Sequence, residues 1–334
     1  MSHAAAPAPR RLEAAVERLP LARRFVIARG SRTEAVVVVA SITSGAHRGR
    51  GEAVPDGRCG ETPEGVLAAI AAVKPSIAAG ATRGDLQALM APGAARNAVD
   101  CALWDLDAER LGLRAWEIAG LHRLGPAVTA HTVSLGPPDA MARAAAAAAE
   151  FPLLKIRLGG HDDEAALAAV RDAAPDATLI VDADGGWTPD VLASRFAACR
   201  RAGVVLIEQP LPAGHDAALA GLPRPIPVCA DESARTAADL AGLRDRYDAV
   251  TIELDKAGGL TAALEMAAEA ERLGFGIVVG SRVGSSLGAA PALLLAPRAR
   301  FVELDGPLLL ARDRDPGLAF DGAVVHPAGP ELWG

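Results

Sequence analysis

Leu179-Ile180-Val181-Asp182, Val205-Leu206-Ile207-Glu208 and Val228-Cys229-Ala230-Asp231 are three short apolar runs, each closed by an acid. Such runs, bounded by polar or turn-forming sequence, read as buried strands. The acids stand 26 and 23 residues apart, about the length of one strand plus one returning helix. Comparable runs flank them at Val128 to Leu135 and Leu153 to Leu158 on one side. On the other side lie Ala249 to Leu254, Gly276 to Val279 and Arg300 to Leu304. With Ala/Leu-rich helical stretches between them, eight such strands predict an α/β fold, a parallel (β/α) barrel. Its C-terminal rim is where active sites of such barrels are built. Asp182, Glu208 and Asp231 then converge, and converging carboxylates repel one another unless a hard cation binds them. Mg²⁺ fits, because it takes oxygen ligands and keeps positions open for water or substrate. One acid after a strand more often caps the next helix; three in consecutive units favour a metal.

The period of two along a strand assigns further residues. Lys155 and Arg157 share one face of their run, toward the barrel mouth. On the sixth run Thr251, Glu253 and Asp255 face inward, and Lys256 points outward unless the strand has ended before it. Ahead of the barrel, Phe25 to Ala28 and Ala35 to Val39 read as strands separated by the polar Arg29 to Arg32. A helix follows with Val99, Ala102, Leu103 and Leu106 on one face and Gly112 as its stop. Gly125-Pro126 marks a boundary, giving an N-terminal α+β domain over 1–125 and the barrel over 126–306. Proline-rich 307–334 is expected to return over the first domain as irregular structure.

Composition narrows the function. A net charge of −7 and 3% aromatic residues, with no basic run, argue against nucleic acid and anionic membrane as partners. The 51% hydrophobic content supports a substantial core. No stretch reaches a membrane span, and the first 24 residues are too charged for a signal peptide. Four scattered cysteines, Cys59, Cys101, Cys199 and Cys229, read as thiols of a cytoplasmic protein.

Several segments together, in order and spacing, resemble the enolase superfamily, in its muconate-lactonizing subgroup and closest to the dipeptide epimerase (L-Ala-D/L-Glu epimerase) family. They are Phe25 to Arg32, Ala94 to Leu106, Glu208-Gln209-Pro210-Leu211-Pro212-Ala213, Ala230 to Ser233, Leu254 to Thr261 and Leu304-Asp305-Gly306-Pro307. The resemblance implies a modified TIM barrel, (β/α)₇β, with an α+β capping domain formed by both ends of the chain. It also implies a homo-oligomer and Mg²⁺ on Asp182, Glu208 and Asp231. The chemistry implied is removal of the proton α to a carboxylate, with the enolate stabilised by the metal. A small-molecule carboxylate, of which a dipeptide is one form, is the implied substrate. Arg29, Arg32 and Thr132 match positions that contact it; Glu303 and Asp305 stand where an Asp-x-Asp of the family holds a dipeptide's ammonium group, and Arg282, at a position usually apolar there, is a further candidate contact.

The family uses two lysines on opposite faces of the substrate; here Arg157 and Glu253 stand in those two places, beside Lys155. A guanidinium is not deprotonated in proteins, so Arg157 is a poor base, whereas Glu253 can accept a proton. Epimerisation by two bases is therefore in question. Two alternatives stay open: dehydration of an acid sugar or hydroxy acid with Glu253 as the single base, and a non-catalytic metal- and ligand-binding homologue in which Arg157 and Glu253 pair across the pocket.

Overall fold

A computed structural model describes residues 9–28 and 30–334. The chain opens with an antiparallel sheet of β1 (Arg10–Ile27), β2 (Gly30–Ser44) and β3 (His47–Ala53). The first two strands are longer than the two apolar runs predicted. From Arg10 to Glu17, charged residues outnumber large apolar ones, but edge strand β1 is held by its register to β2 over Arg10 to Pro20. Three helices cover one face: α1 (Pro63–Ala78), α2 (Arg83–Leu89) and α3 (Ala94–Leu111). Val99, Ala102, Leu103 and Leu106 of α3 enter a core shared with Val38, Ile42, Ile70 and Leu86, and Gly112 ends the helix in a left-handed conformation. At Gly51 of β3 an added Cβ would stand 2.2 Å from the carbonyl oxygen of Ala98, so only glycine lets α3 ride this close on the strand.

After α4 (Ala115–Ile118) and β4 (Ala127–Val128) comes the barrel. Its strands are β5 (His131–Val133), β6 (Leu153–Arg157), β7 (Thr178–Asp182), β8 (Val204–Glu208), β9 (Val228–Ala230), β10 (Ala249–Glu253), β11 (Gly276–Gly280) and β12 (Phe301–Glu303). All eight are parallel neighbours in sequence order. A parallel bridge from Thr129 to Val302 and the Ala130 N–H bonded to Val302 O at 2.8 Å draw the two ends together. Helices α5 (Pro138–Ala147), α6 (Asp163–Ala173), α7 (Leu192–Arg201), α8 (Leu254–Ala257), α9 (Leu260–Leu273) and α10 (Ser286–Ala292) lie among the strands. Burial splits by strand parity, as the pleat demands. Leu154, Ile156, Leu179, Val181, Ile207, Val250 and Ile252 join the outer core, while Leu153, Ile180, Leu206, Cys229, Ala249 and Val278 form a separate inner one.

The segment from Pro307 is more ordered than predicted: β13 (Phe320–Asp321) and β14 (Val324–Val325) form a small antiparallel sheet with β4. It also touches the first domain. Arg314 bonds Glu17 at 2.8 Å and buried Glu52 at 2.6 Å, and Asp105 of α3 accepts from the Arg50 N–H at 2.7 Å and the Gly334 N–H at 2.6 Å. No helix among the described residues is long and apolar enough to cross a membrane. The four cysteines are free thiols.

Burial raises the carboxyl of Asp105 to about 6 against the pull of those two N–H donors. Its folded value lies above the unfolded one near 3.9, so the folded state binds the proton more tightly and this contribution is lost as pH rises from about 4 to 6. The stability deficit of Asp105→Asn relative to the native protein should therefore shrink by roughly 2–3 kcal/mol between pH 4 and pH 7. Urea unfolding of both proteins at the two pH values measures it; a constant difference would refute the assignment.

Candidate active site

The inner apolar layer fixes what faces the mouth. Two residues beyond Leu153, Ile180, Leu206, Cys229 and Ala249 on the same face come Lys155, Asp182, Glu208, Asp231 and Thr251. Two residues further come Arg157, Asp184 and Glu253, with Arg282 and Asp305 following β11 and β12. The register sets Arg157 beside Asp182 and Asp182 beside Glu208. Lys155 is buried at the centre of the first ring. Its ammonium stands 3.0 Å from Asp182, 2.6 Å from Glu208 and 2.6 Å from Glu303. Burial opposes its charge, but these three acids hold the ammonium well above its ordinary range. Burial and then the nearby Glu303 charge push Glu208 well up. Burial acts the same way on Asp182, yet beside Arg157 and Lys155 its carboxyl lies below the usual range. No group of three acidic, imidazole or thiol side chains among the described residues is gathered closely enough to cage a metal as it stands; ammonium groups lie between the carboxylates.

The sixth strand corrects the alternation. β10 ends at Glu253 and the chain turns at once into α8. Asp255 therefore leaves the barrel and accepts from Asn97 Nδ2 at 2.8 Å and the Val54 N–H at 3.0 Å. Because the strand has ended before it, Lys256 turns inward: buried, it pairs with the Asp231 carboxylate and donates to Asp231 O at 2.7 Å and Thr251 O at 2.9 Å. Thr251 Oγ donates to Glu208 at 2.9 Å. Opposite Glu253 on β11, Gly280 has no side chain; a Cβ there would meet Thr251 Cγ2 at 3.1 Å.

A cavity of about 300 Å³ lies over these rings. Thr132, Arg157, Asp184, Asp231, Glu253, Arg282 and Asp305 line it from the barrel, and Arg32, Asp56 and Arg58 from the first domain. Arg29 lies outside the described residues. Glu303 is not on the cavity wall; its carboxylate is engaged by Lys155. Asp305 accepts from the Thr132 N–H at 2.7 Å. Arg157 and Glu253 stand on strands four apart in an eight-stranded barrel, so they face each other across the mouth. They do not pair: Arg157 engages Asp182, and Glu253 lies 3.3 Å from Arg282. The ion-pair bridge expected of a non-catalytic homologue is thus replaced by two separate pairings, each with the cation or acid nearest along the rim. A larger hollow of about 760 Å³ opens at the opposite strand ends, and its lining holds no carboxylate.

Asp56 and Arg58 are not legible in the sequence as site residues. Asp56 caps the turn after β3 by accepting from the Arg58 N–H at 3.0 Å, and Arg282 sits 2.8 Å from its other oxygen. Arg58 then reaches 3.2 Å from Asp184 and pairs with Glu232. Pro55-Asp56-Gly57 is a turn signal, but the partners that tie this turn to the site, Arg282, Asp184 and Glu232, lie more than a hundred residues away, and nothing local announces them.

Residues 139–328 match the enolase C-terminal domain-like family, and residues 12–120 match the N-terminal domain of mandelate racemase/muconate lactonizing enzyme. The chain belongs to the enolase superfamily. Within it, L-Ala-D/L-Glu epimerase of Escherichia coli strain K12 is 45% identical over 93% of this chain and 97% of its own. A crystal structure of an enolase family member from Agrobacterium tumefaciens, with homology to dipeptide epimerases and with sodium and L-Ala-L-Glu bound, is 56% identical. It superposes with a TM-score of 0.97 over 98% of this chain and 100% of its own. The dipeptide epimerase of Methylococcus capsulatus, complexed with Mg and L-Arg-D-Lys, is 30% identical with a TM-score of 0.84 over 96% and 97% of the two chains. The superfamily's barrel with an appended capping domain is the architecture seen here. Dehydration of an acid sugar finds no support among these relatives.

Proposed function

We propose that this chain is a Mg²⁺-dependent enzyme of the dipeptide epimerase family that removes the proton α to a carboxylate, acting on a dipeptide or a closely similar acid. The observation that carries this is the double ring at the rim, with three carboxylates on consecutive strands below Glu253 and Arg157 facing each other across a small cavity. Asp182, Glu208 and Asp231 would hold the metal. The donor set suits it: all three offer hard oxygen donors, and buried Glu208 Oε2 is met by a cation, the Lys155 ammonium at 2.6 Å. Bound Mg²⁺ supplies a Lewis acid for the negative charge that develops on the substrate carboxylate.

Glu253 would take the α-proton, the Cα–H electron pair passing into the substrate's carboxylate system. Arg282 holds that carboxylate side chain at 3.3 Å in the cavity wall. Arg157 stays a guanidinium and orients the anion from the opposite side, and Lys155 stays an ammonium among its three acids. Arg32 and Arg58, carried by the capping domain, would meet further substrate carboxylate, and Thr132 and Asp305 complete the proposed contact set, whereas Glu303, behind the cavity wall, would act only through Lys155. A single base that trades the abstracted proton with solvent before reprotonating the same face gives exchange with retention. Solvent exchange is therefore expected to outrun inversion. Free thiols support a cytoplasmic setting, and the family resemblance supports a homo-oligomer, which light scattering would measure.

Incubation of the Mg²⁺-loaded protein in D₂O with L-Ala-L-Glu and a panel of other L,L-dipeptides tests the function. NMR should show deuterium entering at an α-carbon faster than the opposite stereoisomer forms. No exchange into any member of the panel would overturn the proposal.

A further inference from the structure

Behind the rim lies a buried polar network that the chemistry above does not use. Gln209 follows Glu208 directly and has φ of +36°, a conformation that L side chains rarely adopt. Its carbonyl Oε1 accepts from the Asp231 N–H at 2.9 Å and the Ser233 N–H at 3.2 Å. One side chain thus joins the strand end that carries Glu208 to the loop that carries Asp231.

What fixes the direction of this amide is further away. Ser233 Oγ and Tyr247 OH both donate to Asp216 Oδ2, each at 2.6 Å. A carboxylate only accepts, so both hydroxyl protons are committed to it and both oxygens are left as acceptors toward Gln209. The two Gln209 Nε2 protons are accordingly shared among Ser233 Oγ at 2.9 Å, Tyr247 OH at 3.1 Å and Leu211 O at 2.8 Å. The amine side is thereby turned away from Asp231 and the carbonyl side toward it. Arg246 pairs with the other Asp216 oxygen and keeps the carboxylate charged and in place. Every group in the chain of contacts is oriented by the next.

We infer that Asp216, Ser233 and Tyr247 are positioning residues that lock the Gln209 amide, and through it the spacing of Glu208 and Asp231, so that the site favours Mg²⁺ over the larger Ca²⁺. The inference rests on the metal site proposed above. Mg²⁺ demands near-octahedral oxygens at about 2.0–2.1 Å, whereas Ca²⁺ accepts flexible shells at about 2.3–2.6 Å. A rigid tie between two ligand-bearing segments therefore matters far more to the smaller ion. Loss of outer-shell partners typically lowers metal affinity about 10- to 100-fold.

The test uses calorimetric titration of the full chain with MgCl₂ or CaCl₂ in sodium-free buffer, comparing the native protein with Tyr247→Phe and with Tyr247→Phe/Ser233→Ala. The single variant loosens the amide and the double variant frees it from both hydroxyls, neither touching the three carboxylates. The expected result is a Mg²⁺ Kd raised about 10- to 100-fold in the double variant, with a smaller rise in the single one. The Ca²⁺ Kd should change by less than about 3-fold, so the Mg²⁺/Ca²⁺ preference falls. A Ser233→Thr variant, which keeps the hydroxyl, should retain the native ratio. Equal losses for both ions, or an unchanged Mg²⁺ Kd in a variant that melts like the native protein, would overturn the lock alone. Native protein that binds neither ion would overturn the metal reading and the inference with it. If the double variant does not fold, Tyr247→Phe alone decides by the same ratio.

Discussion

Glu253→Gln is expected to abolish α-deuterium exchange, lowering its rate by about 10²- to 10⁴-fold, while the Mg²⁺ Kd stays within about 3-fold of native. The amide keeps the shape of the side chain and a contact to Arg282 but cannot accept the substrate proton. Glu253 lies one step above the carboxylate ring and makes no contact with Asp182, Glu208 or Asp231 among the described hydrogen bonds and ion pairs. Chemistry and metal binding should therefore separate in this variant. Exchange kinetics by NMR and Mg²⁺ calorimetry on one preparation measure both. Exchange at the native rate would remove Glu253 from the role of base and direct attention to the Arg157 side of the mouth.

The second large effect belongs to Lys155, the cation at the centre of the lower ring. Its ammonium is within 3.0 Å of Asp182, Glu208 and Glu303, and all four side chains are buried. Lys155→Met keeps much of the stem's volume and removes the charge, leaving three buried acids near one another without the cation they share. The metal-free variant is expected to lose on the order of 3–5 kcal/mol of stability, the usual cost of breaking a buried ion pair from one side. Mg²⁺ should restore more of this loss than it adds to the native protein, because the ion replaces the missing charge. Thermal melting with and without MgCl₂ gives both quantities. A variant that melts like the native protein would mean that the acids are protonated or screened by other partners.

Much of this site follows from periodicity. Inward-facing positions recur every second residue on each strand. An apolar residue placed inside at Leu153, Ile180 or Leu206 therefore forces Lys155, Asp182 and Glu208 inside as well. That logic holds while the chain remains a strand, and it fails where the strand stops. Leu254 to Lys256 look like a continuation of β10 by composition, yet the backbone coils into α8 and reverses the faces of Asp255 and Lys256. The same limit explains the first domain. β1 extends through charged sequence because β2 supplies its hydrogen-bonding partner, a fact external to the residues of β1 themselves.

The sequence by itself determined the barrel and the direction in which Asp182, Glu208, Asp231, Lys155, Arg157 and Glu253 face. These are local properties, set by the alternation of side chains along each strand and by residue chemistry. Only the tertiary structure decided which charge meets which. It placed Lys155 among three acids, turned Lys256 onto Asp231, kept Arg157 and Glu253 apart, and brought Asp56 and Arg58 over the mouth from another domain. Charge pairing depends on distances between segments far apart in the chain, and such distances exist only once the barrel has closed and the cap has settled on it.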